Sequence, residues 1–142
     1  MKKTISLWLL ASVFLACDKD SNTRNVNPYL PEYSFSVSIN TSLPQYSGLN
    51  SPINPVPVDI EGAGVSGLIV MKVSDTDYRA WEAACPNQYP TACSKMSIKN
   101  ATTAQCSCEN FEYNLLTGVG GGGYTMRPYR YEIQGSVVRI YN

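Results

Sequence analysis

Apolar and polar positions alternate along much of the chain from Tyr33 onward, and the alternation predicts short β-strands. The run YSFSVSIN puts Phe35, Val37 and Ile39 on one face, so it reads as a half-buried strand. Residues 42–57 are rich in Pro, Ser and Asn and read as a crossing loop with a possible short strand. In GLIVMKVS the apolar positions are continuous and rich in β-branched side chains, the pattern of a central strand. The stretch from Tyr78 to Ala83 alternates less cleanly and fits a strand or one helical turn. FEYNLLTG reads as a strand entering a turn, and the glycines at 120–123 read as a flexible bend. Near the end, YRYEI and VVRIY flank Gln134-Gly135-Ser136, a hairpin pattern. The sum is about seven to nine short strands, no convincing helix and no internal repeat, which places the chain in the all-β class.

The first residues follow another pattern. Lys2 and Lys3 precede the apolar run ISLWLLASVFLA, which ends at Cys17. That run falls short of the about 20 apolar residues that span a bilayer. A charged start, a short apolar middle and small residues before a cut predict a signal peptide over residues 1–16. The ending LAC resembles a bacterial lipobox, which implies lipidation of Cys17 and a membrane tie through the lipid. Early acidic residues in DKDSN resemble the export signals of surface lipoproteins in the Bacteroidetes group. The expected location is the cell envelope, at the outer membrane or cell surface rather than the inner membrane. Residues 17–31, polar and interrupted by Pro, read as the lipidated cysteine and a flexible tether. Residues 32–142 are then the folded domain.

Composition narrows the chemistry. The 142 residues carry 11 Lys plus Arg and 11 Asp plus Glu, for a formal net charge of zero. No basic run supports nucleic-acid binding by phosphate neutralisation. The chain contains no histidine. Hydrolytic triads and Cys–His nucleophiles therefore lack their base. The tetraglycine has no Lys-Ser/Thr after it and no helix, so it does not read as a phosphate cradle. Glu109 and Glu112 are a carboxylate pair near the cysteines, read first as a solvated face. Tyr113, Tyr124, Tyr129, Tyr131 and Tyr141 read as cross-strand aromatics, with a sugar-binding platform as the alternative. No catalytic residue is predicted, and the chain is not expected to be an enzyme.

Four cysteines, Cys85, Cys93, Cys106 and Cys108, lie within 24 residues, and outside the cytoplasm they would persist as disulfides. Three pairings are open to them, and a Cys106–Cys108 bond would close a strained ring. A four-cysteine iron–sulfur or zinc site is the alternative, although the spacing is poor for paired zinc knuckles. A thiol–disulfide sensor using Cys85 and Cys106 is a further reading, although no Cys-x-x-Cys beside a helix start is present.

The order Cys85-Pro-Asn87, Cys93, Cys106-Ser-Cys108-Glu109, the Thr117-Gly118 turn, the glycine run and RPYRYEIQGSVVRI resembles the cluster-binding half of a Rieske iron–sulfur domain. The resemblance covers about Gly67 to Asn142. It implies antiparallel sheets with two cysteine-bearing loops at one tip. Cys85 and Cys106 take the positions of the cluster thiolates, and Asn87 and Glu109 stand where the family has its two imidazoles. A Rieske centre needs both imidazoles. With no histidine in the chain, the resemblance implies a degenerate domain that has lost its [2Fe–2S] cluster. It also implies a Cys93–Cys108 bond tying the loops, with Cys85 and Cys106 left close enough to bond. Family members that carry a cluster are generally exported folded through a twin-arginine signal, whereas MKKTIS looks like the route for unfolded chains. The expectation is a lipid-anchored, non-catalytic binding or structural module without cofactor or metal. An electron-transfer or metal protein with a non-standard iron–sulfur or zinc site is the alternative. The partner is left open.

Overall fold

The computed structural model describes residues 26–142. The expected signal peptide, the expected lipidation site Cys17 and the expected tether up to residue 25 lie outside the described residues. Among the described residues, no helix is long and apolar enough to cross a membrane.

Among the described residues, nine strands form three antiparallel three-stranded sheets. In chain order the strands are β1 (Ser36–Asn40), β2 (Val56–Val58), β3 (Leu68–Ser74), β4 (Asp77–Glu82), β5 (Met96–Asn100), β6 (Thr103–Cys106), β7 (Glu112–Asn114), β8 (Arg130–Gln134) and β9 (Val137–Tyr141). The sheet orders are β1-β9-β8, β2-β3-β4 and β5-β6-β7. The fold class is all-β, as the alternation predicts.

The apolar run of β3 has a direct physical reason. Leu68 and Val70 pack into one core with Ile39, Leu49, Val58, Val138 and Ile140. Ile69 and Met71 pack into a second core with Trp81, Met96, Ala104, Tyr113 and Leu115. The β2-β3-β4 sheet is thus the middle layer, and over Leu68–Met71 its central strand has no solvent face to carry polar residues. On β4, Tyr78 and Ala80 enter the first core and Trp81 enters the second, which makes this segment a strand with blurred alternation rather than a helical turn.

Three expectations need correction. The loop at 42–57 contains a 3-10 helix, Pro44–Asn50, started by a proline and held by burial of Leu49. No strand is predicted between Cys93 and Cys106, yet the β5-β6 hairpin lies there, pairing Met96 with Cys106 and Ile98 with Ala104. Its strands are short and half exposed, so their alternation is brief.

The third concerns the tether, whose last residues are docked. Leu30 is 2% exposed. The Arg127 guanidinium donates to the carbonyls of Leu30 at 2.6 Å and Pro31 at 2.7 Å, and the Asn27 amide donates to the Pro86 carbonyl at 2.6 Å. Residues 27–31 belong to the body because one arginine satisfies two backbone carbonyls that the arm cannot satisfy itself.

Candidate functional site

Strand register places the two cysteine loops. The start of β5, the end of β6 and the start of β7 lie at the same end of one sheet, since Met96 pairs with Cys106 and Gln105 with Glu112. The loop from Cys85 to Lys95 enters β5 at that end, and the loop from Ser107 to Phe111 joins β6 to β7 there. Short hydrogen bonds fix the first loop: Cys85 N–H donates to the Ser94 carbonyl at 2.7 Å, and the Ser94 hydroxyl bridges Thr91. Met96 N–H donates to the Ala83 carbonyl at 2.7 Å, which lashes the loop back to the middle sheet.

All four cysteines of this region are paired. Cys85 is bonded to Cys106, with Cα atoms 5.7 Å apart, and Cys93 to Cys108, with Cα atoms 5.3 Å apart. The two bonds sit in different surroundings. Cys85 and Cys106 are 0% and 1% exposed, inside the second core. Cys93 is exposed and Cys108 half-buried.

Asn87, at an imidazole position of the resemblance, points into the glycine run. Its Nδ2 donates to Tyr113 Oη at 2.5 Å and to the Tyr124 carbonyl at 2.9 Å, and its Oδ1 accepts Tyr124 N–H at 2.8 Å. One side-chain amide therefore satisfies both backbone groups of Tyr124, using its separate donor and acceptor. A Cβ on Gly122 would fall on this amide, and one on Gly120 would fall on the Glu112 carbonyl and the Tyr113 ring. The glycine run, expected to be a flexible bend, is a close-packed strap whose missing side chains let its backbone reach Asn87. Glu109 is exposed and makes no comparable contact. Burial pushes the Tyr113 hydroxyl up from its ordinary pKa, the Asn87 bond acts against it, and the charge of Glu109 adds to it.

These residues do not fit a Rieske cluster. Both sulfurs at the thiolate positions are bonded to each other, Asn87 is an amide occupied by backbone, and the chain has no imidazole. Among the described residues no group of three or more His, Cys, Asp or Glu side chains converges to hold a metal ion.

The other candidates separate. Glu112 pairs with Lys99 and not with Glu109. The tyrosines do not form one platform: Tyr113 lies in the second core, Tyr129 in the first, and Tyr141 lies under Arg130 and Arg139. Tyr29 meets Tyr89 and Tyr124 edge to face, with ring centroids 5.1 and 5.8 Å apart. Beside this group is an open cavity of about 380 Å³ between the docked arm and residues 124–130, lined by Asn27, Glu32, Tyr124, Arg127 and Arg130.

One buried residue escapes the sequence reading. Glu82 is 0% exposed, and its carboxylate accepts Val65 N–H at 2.7 Å, Ser66 N–H at 2.9 Å, Ala84 N–H at 2.8 Å and Tyr129 Oη at 2.6 Å. Four donors compensate its lost hydration. The only signal in the sequence is an acidic residue set among Ala, Trp and Cys in RAWEAAC. Burial foremost, and then the Glu82 charge, push the Tyr129 hydroxyl far above its ordinary pKa.

No family model matches the sequence, and no curated protein matches it. Among solved structures, the chain is similar to the ferredoxin of carbazole 1,9a-dioxygenase from Nocardioides aromaticivorans, at 14% identity and a TM-score of 0.45, over 77% of this chain and 97% of that one. It is similar to a putative NADH-dependent nitrite reductase small subunit from Mycobacterium tuberculosis, at 12% identity and a TM-score of 0.44, over 78% of this chain and 97% of that one. An oxygenase and ferredoxin complex of carbazole 1,9a-dioxygenase matches at 15% identity and a TM-score of 0.48, where the chain spans 79% of its own length and 29% of the other.

Proposed function

We propose that the chain is a lipid-anchored protein of the bacterial envelope whose Rieske-like domain has lost its [2Fe–2S] cluster and acts as a non-catalytic binding or structural module. The observation that carries this reading is the Cys85–Cys106 bond. It joins the two sulfurs that the resemblance assigns to the cluster, so neither is a thiolate ligand. The amide of Asn87 supports the same reading, because it holds the glycine strap where the family has an imidazole. The lipid anchor rests on the charged start, the short apolar run and Cys17. The outer membrane or cell surface is the proposed location, from the acidic residues that follow Cys17.

The test is a thiol count. The chain from Asp18 onward, exported to an oxidising compartment, is denatured without reductant in excess alkylating agent and weighed intact. No added alkyl group is the expected result, together with a colourless solution. Four alkylated thiols, or visible absorbance, would overturn the reading. In a second arm the whole precursor is fractionated, and Cys17→Ser is expected to move the protein from the membrane fraction to the soluble one; equal membrane association would remove the anchor.

A further inference from the structure

The two disulfides differ in access and in what surrounds their sulfurs, and that difference assigns them different chemistry. Cys85 and Cys106 are enclosed by Ile69, Met71, Trp81 and Met96. A thiolate reaching that bond would have to leave water for an apolar core. The outer bond is open to solvent on the Cys93 side. Gln88 Nε2 lies 3.0 Å from Cys108 Sγ, and Thr91 Oγ1 lies 3.6 Å from Cys93 Sγ and 4.0 Å from Cys108 Sγ. Neither sulfur of a disulfide carries a proton, so Gln88 and Thr91 are the donors. Donors aimed at a sulfur stabilise the thiolate that forms there when the bond breaks. Glu109 beside Cys108 opposes that charge, but it is exposed and screened by water and salt.

We propose that Cys93–Cys108 is a thiol–disulfide exchange site for a dithiol reductant, and that attack falls on Cys93 with Cys108 as the leaving group. An incoming thiolate forms a bond to Cys93 Sγ. The Sγ–Sγ bond to Cys108 breaks, and its electron pair leaves on Cys108 Sγ, held by the Gln88 amide. The second thiol of the reductant then attacks its own sulfur in the mixed disulfide and releases Cys93 as a thiolate. The reductant is oxidised to its disulfide, the protein gains two electrons, and the two protons of the dithiol end on Cys93 and Cys108. The inner bond persists through this cycle, so exchange loosens the segment from Gln88 to Cys93 while the two loops stay tied through Cys85 and Cys106. This goes beyond the module proposed above and needs only that the outer disulfide exist.

The test uses the chain from Asp18 onward, treated with 2-mercaptoethanol for increasing times, quenched in acid, alkylated and mapped by peptide mass. The expected first product carries the mercaptoethanol adduct on Cys93 and the alkyl group on Cys108, with Cys85–Cys106 intact. Gln88→Leu is expected to slow that first step about three- to tenfold. An adduct first on Cys108, opening of the inner bond at the same rate, or an unchanged rate in Gln88→Leu would each overturn the proposal. The mapping needs no variant, so it stands if Gln88→Leu folds poorly. Four free thiols before treatment would overturn the module as well; a zero count with the wrong adduct overturns the exchange site alone.

Discussion

At the residue scale, a site can keep its layout and change its chemistry through single side chains. Asn87 bonds both the N–H and the carbonyl of Tyr124, so a position that the resemblance gives to a metal ligand here serves backbone. The glycine run is the other half of that contact. Its members are not equivalent: a Cβ on Gly122 would meet the Asn87 amide, whereas one on Gly121 would meet Phe111 at an ordinary 3.5 Å. Gly122→Ala should therefore destabilise the domain by about 1–3 kcal/mol, as overpacking does, and Gly121→Ala by less than about 0.5 kcal/mol. Urea unfolding of the two variants checks this, and equal effects would return the run to a flexible bend. The sequence showed four glycines and no reason to rank them, because the ranking depends on a side chain 35 positions away from Gly122.

At the element scale, β4 does two jobs with one strand. Trp81 fills the second core, and its Nε1 donates to the Leu115 carbonyl at 2.8 Å. The ring also sits where a Cβ on Gly118 would fall; Gly118 takes φ 74, so the Thr117-Gly118 turn is both a left-handed position and a packing surface. Glu82, one residue further, captures the loop at Val65 and Ser66 and accepts a hydrogen bond from the Tyr129 hydroxyl.

This arrangement predicts an alkaline weakness. The folded Tyr129 holds its proton to higher pH than the unfolded chain, whose tyrosines ionise near the ordinary 10.0. Between those two values the unfolded state binds fewer protons, so stability falls as pH rises; below pH 10 the contribution is fully present. Unfolding free energy should drop by up to about 1.4 kcal/mol per pH unit above 10 from this group. Tyr129→Phe should remove that part of the slope while costing about 1–3 kcal/mol at neutral pH, where Glu82 loses one donor. Urea titrations at several pH values from 8 to 11 measure both. An identical slope in the variant would assign the alkaline loss to another group. Tyr113, whose hydroxyl is also pushed up, leaves a smaller slope in the variant.

At the scale of the whole molecule, three thin sheets share two cores, and the periphery is secured by points rather than by area. The loop closed by Cys93 and Cys108 spans 15 residues, for which the chain-entropy account gives roughly 3 kcal/mol. The arm at residues 27–31 is secured by Leu30 and by Arg127. A chain starting at Glu32 should be less stable than one starting at Val26 by about 2–4 kcal/mol, from the burial of Leu30 and the lost hydrogen bonds. Thermal or urea unfolding of the two truncations checks this, and equal stabilities would make the docked arm energetically idle. Loss of the arm would also remove one wall of the cavity that contains Arg127 and Arg130.

By itself the sequence determined the all-β class, the central position of β3 and the terminal hairpin, because each follows from local periodicity: an alternating strand has one wet face, and a continuous one has none. Its lack of histidine also meant that this chain offers no imidazole of its own. Only the tertiary structure decided that the glycine run is strapped down, that Glu82 is a buried carboxyl group with four donors, and that residues 27–31 are docked. Each of these depends on groups brought together from distant parts of the chain. Asn87 and Tyr124 are 37 positions apart, Glu82 and Tyr129 are 47 apart, and Arg127 and Leu30 are 97 apart. Periodicity reports which face of an element is dry, whereas the partner of a buried polar group is set by how the three sheets pack.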